Sequence, residues 1–216
     1  TCMARDEVSG QAEILYNEAV QKFQRAVALA PSHRAYHLWG DVLVRQGCVL
    51  YSGEQARERF IDACGKFATA RELKPDSFIS TRAWADALTC LAEEALESGR
   101  DGASAAFYRA SSEKYAEAAE IAERLGHADH AALMQYRYAE AVLMSALDDT
   151  GADAVERIAD ACGIFKAWGR LNPDDAHALC LWGTALGLLA DWNESSAAIK
   201  LYRTACDKFE TAMQLD

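Results

Sequence analysis

Within its 216 residues the chain repeats one phrase. Ala63-Cys64-Gly65-Lys66-Phe67-Ala68-Thr69-Ala70, closed by Leu73-Lys74-Pro75-Asp76, returns as Ala161-Cys162-Gly163-Ile164-Phe165 followed by Leu171-Asn172-Pro173-Asp174. It returns again as Ala205-Cys206-Asp207-Lys208-Phe209-Glu210-Thr211-Ala212. A repeating unit that cannot bury its own apolar face must stack on its neighbours, so this phrase restricts the fold to a repeat architecture.

The punctuation of the chain sets the size of the unit. Pro31, Pro75 and Pro173 are the only prolines, and all fall between periodic segments. With turns at Ser52-Gly53, Ser98-Gly99-Arg100-Asp101-Gly102, Gly126-His127 and Asp148-Asp149-Thr150-Gly151, they divide the chain into nine segments, each long enough for a helix. In the first, about 6 to 30, Ile14, Leu15, Ala19, Phe23, Ala26, Val27 and Ala30 line one helical face. In the second, Gly47 predicts a loosened helix, since a mid-helix Gly costs about 1 kcal/mol relative to Ala. Gly126 is expected to close the fifth segment as a C′ glycine.

Two kinds of helix alternate. Kind A carries a large ring followed by a small residue, at Trp39-Gly40, Trp84-Ala85, Tyr138-Ala139 and Trp182-Gly183, with Leu43, Leu88, Val142 and Leu186 one turn on. Kind B carries a small residue at Ala19, Ala63, Ser111, Ala161 and Ala205, and a ring at Phe23, Phe67, Tyr115, Phe165 and Phe209. A second small residue follows at Ala26, Ala70, Ala118 and Ala212. The order is B, then A and B four times. Small residues let paired helices approach closely while the rings fill the groove beside the contact. Trp168 stands where the fourth B helix should have Ala, so packing there must be rearranged.

These residues resemble the tetratricopeptide repeat (TPR) family, whose helix-turn-helix unit of about 34 residues has the same large, small and aromatic positions. The resemblance runs from Ile14 to Asp216, with residues added between the two markers so that both helices are lengthened. It implies an all-α, TPR-like superhelix of antiparallel helix pairs, about nine helices in one domain spanning 1–216. A leading helix at 6–30 would be followed by repeats at about 33–74, 77–125, 128–171 and 174–215. Over the first third, Leu38-Trp39-Gly40-Asp41-Val42-Leu43 with Lys66-Phe67-x-x-Ala70…Pro75 is similar to the repeat domain of the plant-type import receptor of the mitochondrial outer membrane, though nothing of its function is carried over.

The resemblance also implies that the A helices line a concave face that binds protein segments. The positions to read are His37 and Asp41, Arg82 and Asp86, Tyr136 and Glu140, and Cys180 and Thr184. They lack the Lys, Arg and Asn of the clamp that grips acidic chaperone termini. Instead Asp41, Asp86 and Glu140 recur at one position, an acidic stripe suited to a basic or amphipathic partner segment. The bland alternative is that they are ordinary solvated charges on helix faces.

No phosphate loop, nucleophile elbow or metal-ligand signature occurs, so no catalytic residue, cofactor or metal is expected. His127 and His130 form the one close histidine pair, and the alternative reading, a metal- or small-ligand-binding enzyme or sensor, would rest on them. Asp129 between them is expected to be a helix N-cap. Trp192, in the polar turn Asp191-Trp192-Asn193-Glu194, is either a contact residue or folded back on the last pair.

A net charge of −11 argues against a nucleic-acid partner, whose phosphates are bound by clustered Lys and Arg. No apolar run approaches the roughly 18 residues of a membrane span. Seven widely spaced cysteines, an odd number without a C-x-x-C pair, are expected to be small buried hydrophobes in a reducing intracellular compartment, except Cys2, which is unassigned. The first B helix lacks an A partner and no capping helix follows the last. The termini are therefore expected to continue into a longer chain or to be covered by other subunits of an assembly.

Overall fold

The computed structural model describes residues 2–147, 152–193 and 196–215, with side chains from residue 10 and, after the first break, from 153. Cys2 as a side chain, and the turn Asp148 to Gly151, lie outside what is described. The described residues form nine helices and no strand: α1 (Cys2–Leu29), α2 (His33–Leu50), α3 (Gly53–Leu73), α4 (Phe78–Glu97), α5 (Asp101–Arg124), α6 (Ala128–Ser145), α7 (Ala152–Leu171), α8 (Ala176–Asp191) and α9 (Ser196–Leu215). The nine expected segments are these helices. Within each unit, short connections make successive helices antiparallel neighbours.

The helix ends follow from local chemistry. Ser32 caps α2, its Oγ accepting the Ala35 N–H at 3.2 Å, and Asp175 caps α8, accepting the Ala178 N–H at 2.9 Å. Both satisfy an N–H that has no partner inside the helix. At the end of α5, Gly126 adopts φ +79°; its N–H donates to the Glu123 carbonyl and the His127 N–H donates to that of Ala122. That is a Schellman closure, as expected of this glycine. Gly99, at φ +68°, ends α4 the same way, with Gly99 N–H to Leu96 and Arg100 N–H to Ala95. The N-cap of α6 is His127 rather than Asp129, which sits inside the first turn. The Gly126 closure sets this register, because the chain enters α6 immediately after it.

The chain divides into two compact units, Thr1–Ile121 and Ala122–Asp216. In the first, Trp39, Leu43, Ala63, Phe67, Ala83 and Ala87 form a core between α2, α3 and α4, with Phe23, Val20 and Val27 of α1 against it. A second cluster, Ala56, Phe60 and Leu91, continues it toward the C-terminal end of α2. Gln46 Nε2 donates to Asn17 Oδ1 at 2.9 Å and Tyr51 Oη to Glu13 at 3.0 Å, tying α1 to the same end. In the second unit, Tyr136, Ala139, Val142, Ile158, Ala161, Phe165 and Ala185 form the core between α6, α7 and α8.

Close approach at the small positions is directly visible. A Cβ added to Gly40 would lie 2.6 Å from Phe67 Cε1, and one on Gly183 2.8 Å from Phe209 Cε1. Gly47 follows the same rule rather than loosening α2: the helix continues to Leu50, and a Cβ there would lie 2.5 Å from Phe60 Cε1. Its helix-propensity cost is met by the ring packed in its place. Where the small A residue is Ala85, the B helix presents Ser111, fully buried, whose Oγ donates to the Ala85 carbonyl at 3.0 Å.

Trp168 is accommodated as a polar anchor. Its ring stacks on Tyr136 with centroids 4.7 Å apart and 22° between planes, and its Nε1–H donates to Asp175 Oδ2 at 2.9 Å. One carboxylate thus caps α8 and receives the indole of α7. Trp192 is the C-cap residue of α8 and packs against the core shared by α6, α7 and α8.

Candidate interaction surface

In unit 1 the A-helix positions lie on neighbouring faces of α2 and α4. His37 Nε2 is 3.5 Å from Asp41 Oδ2, one turn on, and Arg82 Nε is 3.6 Å from Asp86 Oδ2. Asp86 is also reached from the core: Tyr115 of α5, itself 3% exposed, donates its hydroxyl to Asp86 Oδ1 at 2.6 Å. In unit 2, Glu140 of α6 accepts from Arg137 at 2.7 Å and faces His177 Nε2 of α8 at 3.2 Å. Each of these three carboxylates has a nitrogen base beside it. Within each unit the carboxylates are therefore paired with bases rather than bare.

The other positions divide between surface and core. Tyr136 is 5% exposed and held between Phe165 and Trp168, where burial first, and then the charges of Glu140 and Asp175, push its phenol pKa up. Thr184 donates its hydroxyl to the Cys180 carbonyl at 3.0 Å, a back-bond within α8. His37 is only partly accessible. Burial holds its imidazole below its ordinary value, Asp41 opposes that, and Arg82 and His33 add to the depression. Near neutral pH it is uncharged.

A contact repeated within both units was not read from the sequence. Lys66 Nζ lies 4.0 Å from the ring centroid of Trp39, Lys114 Nζ 4.6 Å from that of Trp84, and Lys208 Nζ 4.2 Å from that of Trp182. Each lysine immediately precedes the B-helix ring, and each tryptophan is the A-helix ring, so the cation–π contact is a third repeated position of the unit. The signal was present as Lys66-Phe67, Lys114-Tyr115 and Lys208-Phe209. In the remaining repeat Ile164 replaces Lys and Tyr138 replaces Trp. There a groove of about 480 Å³ is lined by Gln135, Tyr138, Asp160, Ile164, Trp168 and Leu171.

His127 and His130 are exposed, with ring centroids 5.8 Å apart and edge-to-face. Among the described residues no group of three His, Cys, Asp or Glu side chains is placed to hold a metal ion, and no helix is long and apolar enough to cross a membrane.

No protein-family model and no curated protein matches the sequence. Among solved structures, the chain is similar to the de novo designed helical repeat protein DHR64, at 18% identity and a TM-score of 0.41, covering 97% of this chain and 98% of that one. It is also similar to the DHF119 filament, at 20% identity and a TM-score of 0.34, covering 98% and 96%.

Proposed function

We propose that this chain is a non-catalytic protein-interaction scaffold, an adaptor or subunit of a larger assembly, whose two units belong to one TPR-like domain over 1–216. In this reading a partner segment lies along the A-helix face and is held through His37, Asp41, Arg82, Asp86, Glu140 and Thr184. The observation that carries it is the contrast between the two helix kinds. The B-helix rings Phe67, Tyr115 and Phe165 are buried, while the A helices keep part-exposed carboxylates at equivalent places, Asp41, Asp86 and Glu140, each beside a nitrogen base. Paired charges of both signs select a partner of complementary pattern more than they add raw affinity.

The test is capture of a partner by the purified chain, identification by mass spectrometry, and titration against Asp41→Lys combined with Asp86→Asn. Asn keeps an acceptor for the Tyr115 hydroxyl, so helicity and melting should hold. A drop in affinity of tenfold or more (about 1.4 kcal/mol) is expected. Undiminished binding by the doubly substituted chain would sink the A-face reading.

A further inference from the structure

Cys48, near the C-terminal end of α2, and Cys90, in α4, line one groove of about 240 Å³ in unit 1, with Tyr51, Glu93 and Glu94 among the other walls. The two thiols share a hydrogen bond. Cys48 is on the exposed side, whereas Cys90 is half-buried against the Ala56, Phe60 and Leu91 cluster. The helices that carry them touch, with α3 packed against both. The cysteines as a class are not the buried hydrophobes expected of them: of the six described, Cys48, Cys180 and Cys206 are exposed, and Cys64, Cys90 and Cys162 are half-buried.

We propose that Cys48 and Cys90 form a dithiol site that a low-molecular-weight disulfide oxidises to an intramolecular disulfide joining α2 to α4. The Cys48 thiolate attacks one sulfur of the oxidant; that S–S bond breaks, and one half leaves as a thiolate while the other stays on Cys48 as a mixed disulfide. Cys90 then loses its proton and attacks the Cys48 sulfur, expelling the second half as a thiolate. Two protein thiols are oxidised, one small disulfide is reduced to two thiols, and the two protons released are taken up by those thiolates.

The environment assigns the order of attack. The hydrogen bond with Cys90 brings the Cys48 thiol down to about 7, against burial and the charge of Glu93. The thiolate is the nucleophile, and the lowered value favours that form on the exposed Cys48 over the half-buried Cys90. The same bond, then burial and the charges of Cys48, Glu93 and Asp86, hold Cys90 protonated. Converting Cys48 to a mixed disulfide removes its charge and its claim on that bond, which frees Cys90 to act second. The groove, open at Cys48, admits the reagent.

The experiment uses the full chain, reduced and desalted, treated with glutathione disulfide at pH 7, quenched by alkylation and mapped by peptide mass spectrometry. Expected is a Cys48–Cys90 cross-linked peptide and an intact mass short by two hydrogens. Cys48 should react about tenfold or more faster than the exposed Cys180 and Cys206, which serve as internal standards. Cys90→Ser should leave Cys48 as a lasting glutathione adduct, and Cys48→Ser should leave Cys90 unmodified. The proposal is overturned if Cys48 of the unaltered chain ends as a stable glutathione adduct, or if it reacts no faster than Cys180 and Cys206. The unaltered chain decides the matter even where a variant fails to fold.

Discussion

The ring of Phe67 occupies the place that a side chain on Gly40 would need: its Cε1 lies 2.6 Å from where a Cβ would be, and Phe67 is itself 1% exposed. The glycine and the ring are one packing device shared by α2 and α3. Gly183 and Phe209 repeat it at 2.8 Å, but Phe209 is 37% exposed and has room to swing out. Gly40→Ala should therefore destabilise by about 1–3 kcal/mol through overpacking, and Gly183→Ala by distinctly less. Denaturant midpoints of the two variants check this. Equal losses would show that the buried ring yields as readily as the exposed one.

The lysines over the tryptophans should contribute modestly. Lys66→Met keeps the stem and removes the charge from above Trp39, so a loss of about 0.5–1 kcal/mol is expected, with Lys66→Arg close to the unaltered chain. Lys66→Met and Lys66→Arg melting equally would argue that the stem packs and the charge does nothing.

Asp175 has two tasks, and Asp175→Ala removes both. Loss of the α8 cap costs about 1 kcal/mol, and the orphaned indole of Trp168 adds a hydrogen bond to a charged acceptor, worth about 1.5–3 kcal/mol. Trp168→Phe keeps the cap and removes the second, together with part of the ring stacked on Tyr136. Urea unfolding with the double variant closes the cycle; strict additivity would mean that cap and indole do not share the carboxylate.

His37 gives the fold a pH dependence of defined sign. Its pKa in the folded chain lies below the unfolded value of 6.5, so the unfolded state binds more protons as pH falls. Stability from this site is fully present above 6.5 and is lost as pH falls from 6.5 through the folded pKa. Denaturation midpoints measured from pH 7.5 to 5 should decline, and His37→Gln should flatten that decline. An unchanged slope in the variant would place the dependence elsewhere.

The helices and their ends were legible because their causes are local. Proline, a left-handed glycine or a Ser or Asp cap acts within one turn of its own position, and Gly126 shows it. The A and B markers were legible for a related reason: repeated packing leaves repeated residues, so Ala63, Phe67 and Ala70 announced their role in company. The reading of Gly47 failed because its cause lies on another helix, in Phe60.

The surface was less legible. Asp41, Asp86 and Glu140 recur along the chain as a row of like charges, yet His37, Arg82, Arg137, His177 and the hydroxyl of Tyr115 stand beside them. His177 and Tyr115 come from other helices, at separations of 37 and 29 residues. The pairing of Cys48 with Cys90, 42 positions apart in a sequence without a C-x-x-C motif, has the same origin. By itself the sequence determined the helices, their punctuation and the repeat that makes them pack, since propensity, caps and periodicity are carried by neighbours in the chain. Only the tertiary structure decided which charges are compensated, which ring fills which glycine and which thiols meet, because these depend on side chains brought together from different helices.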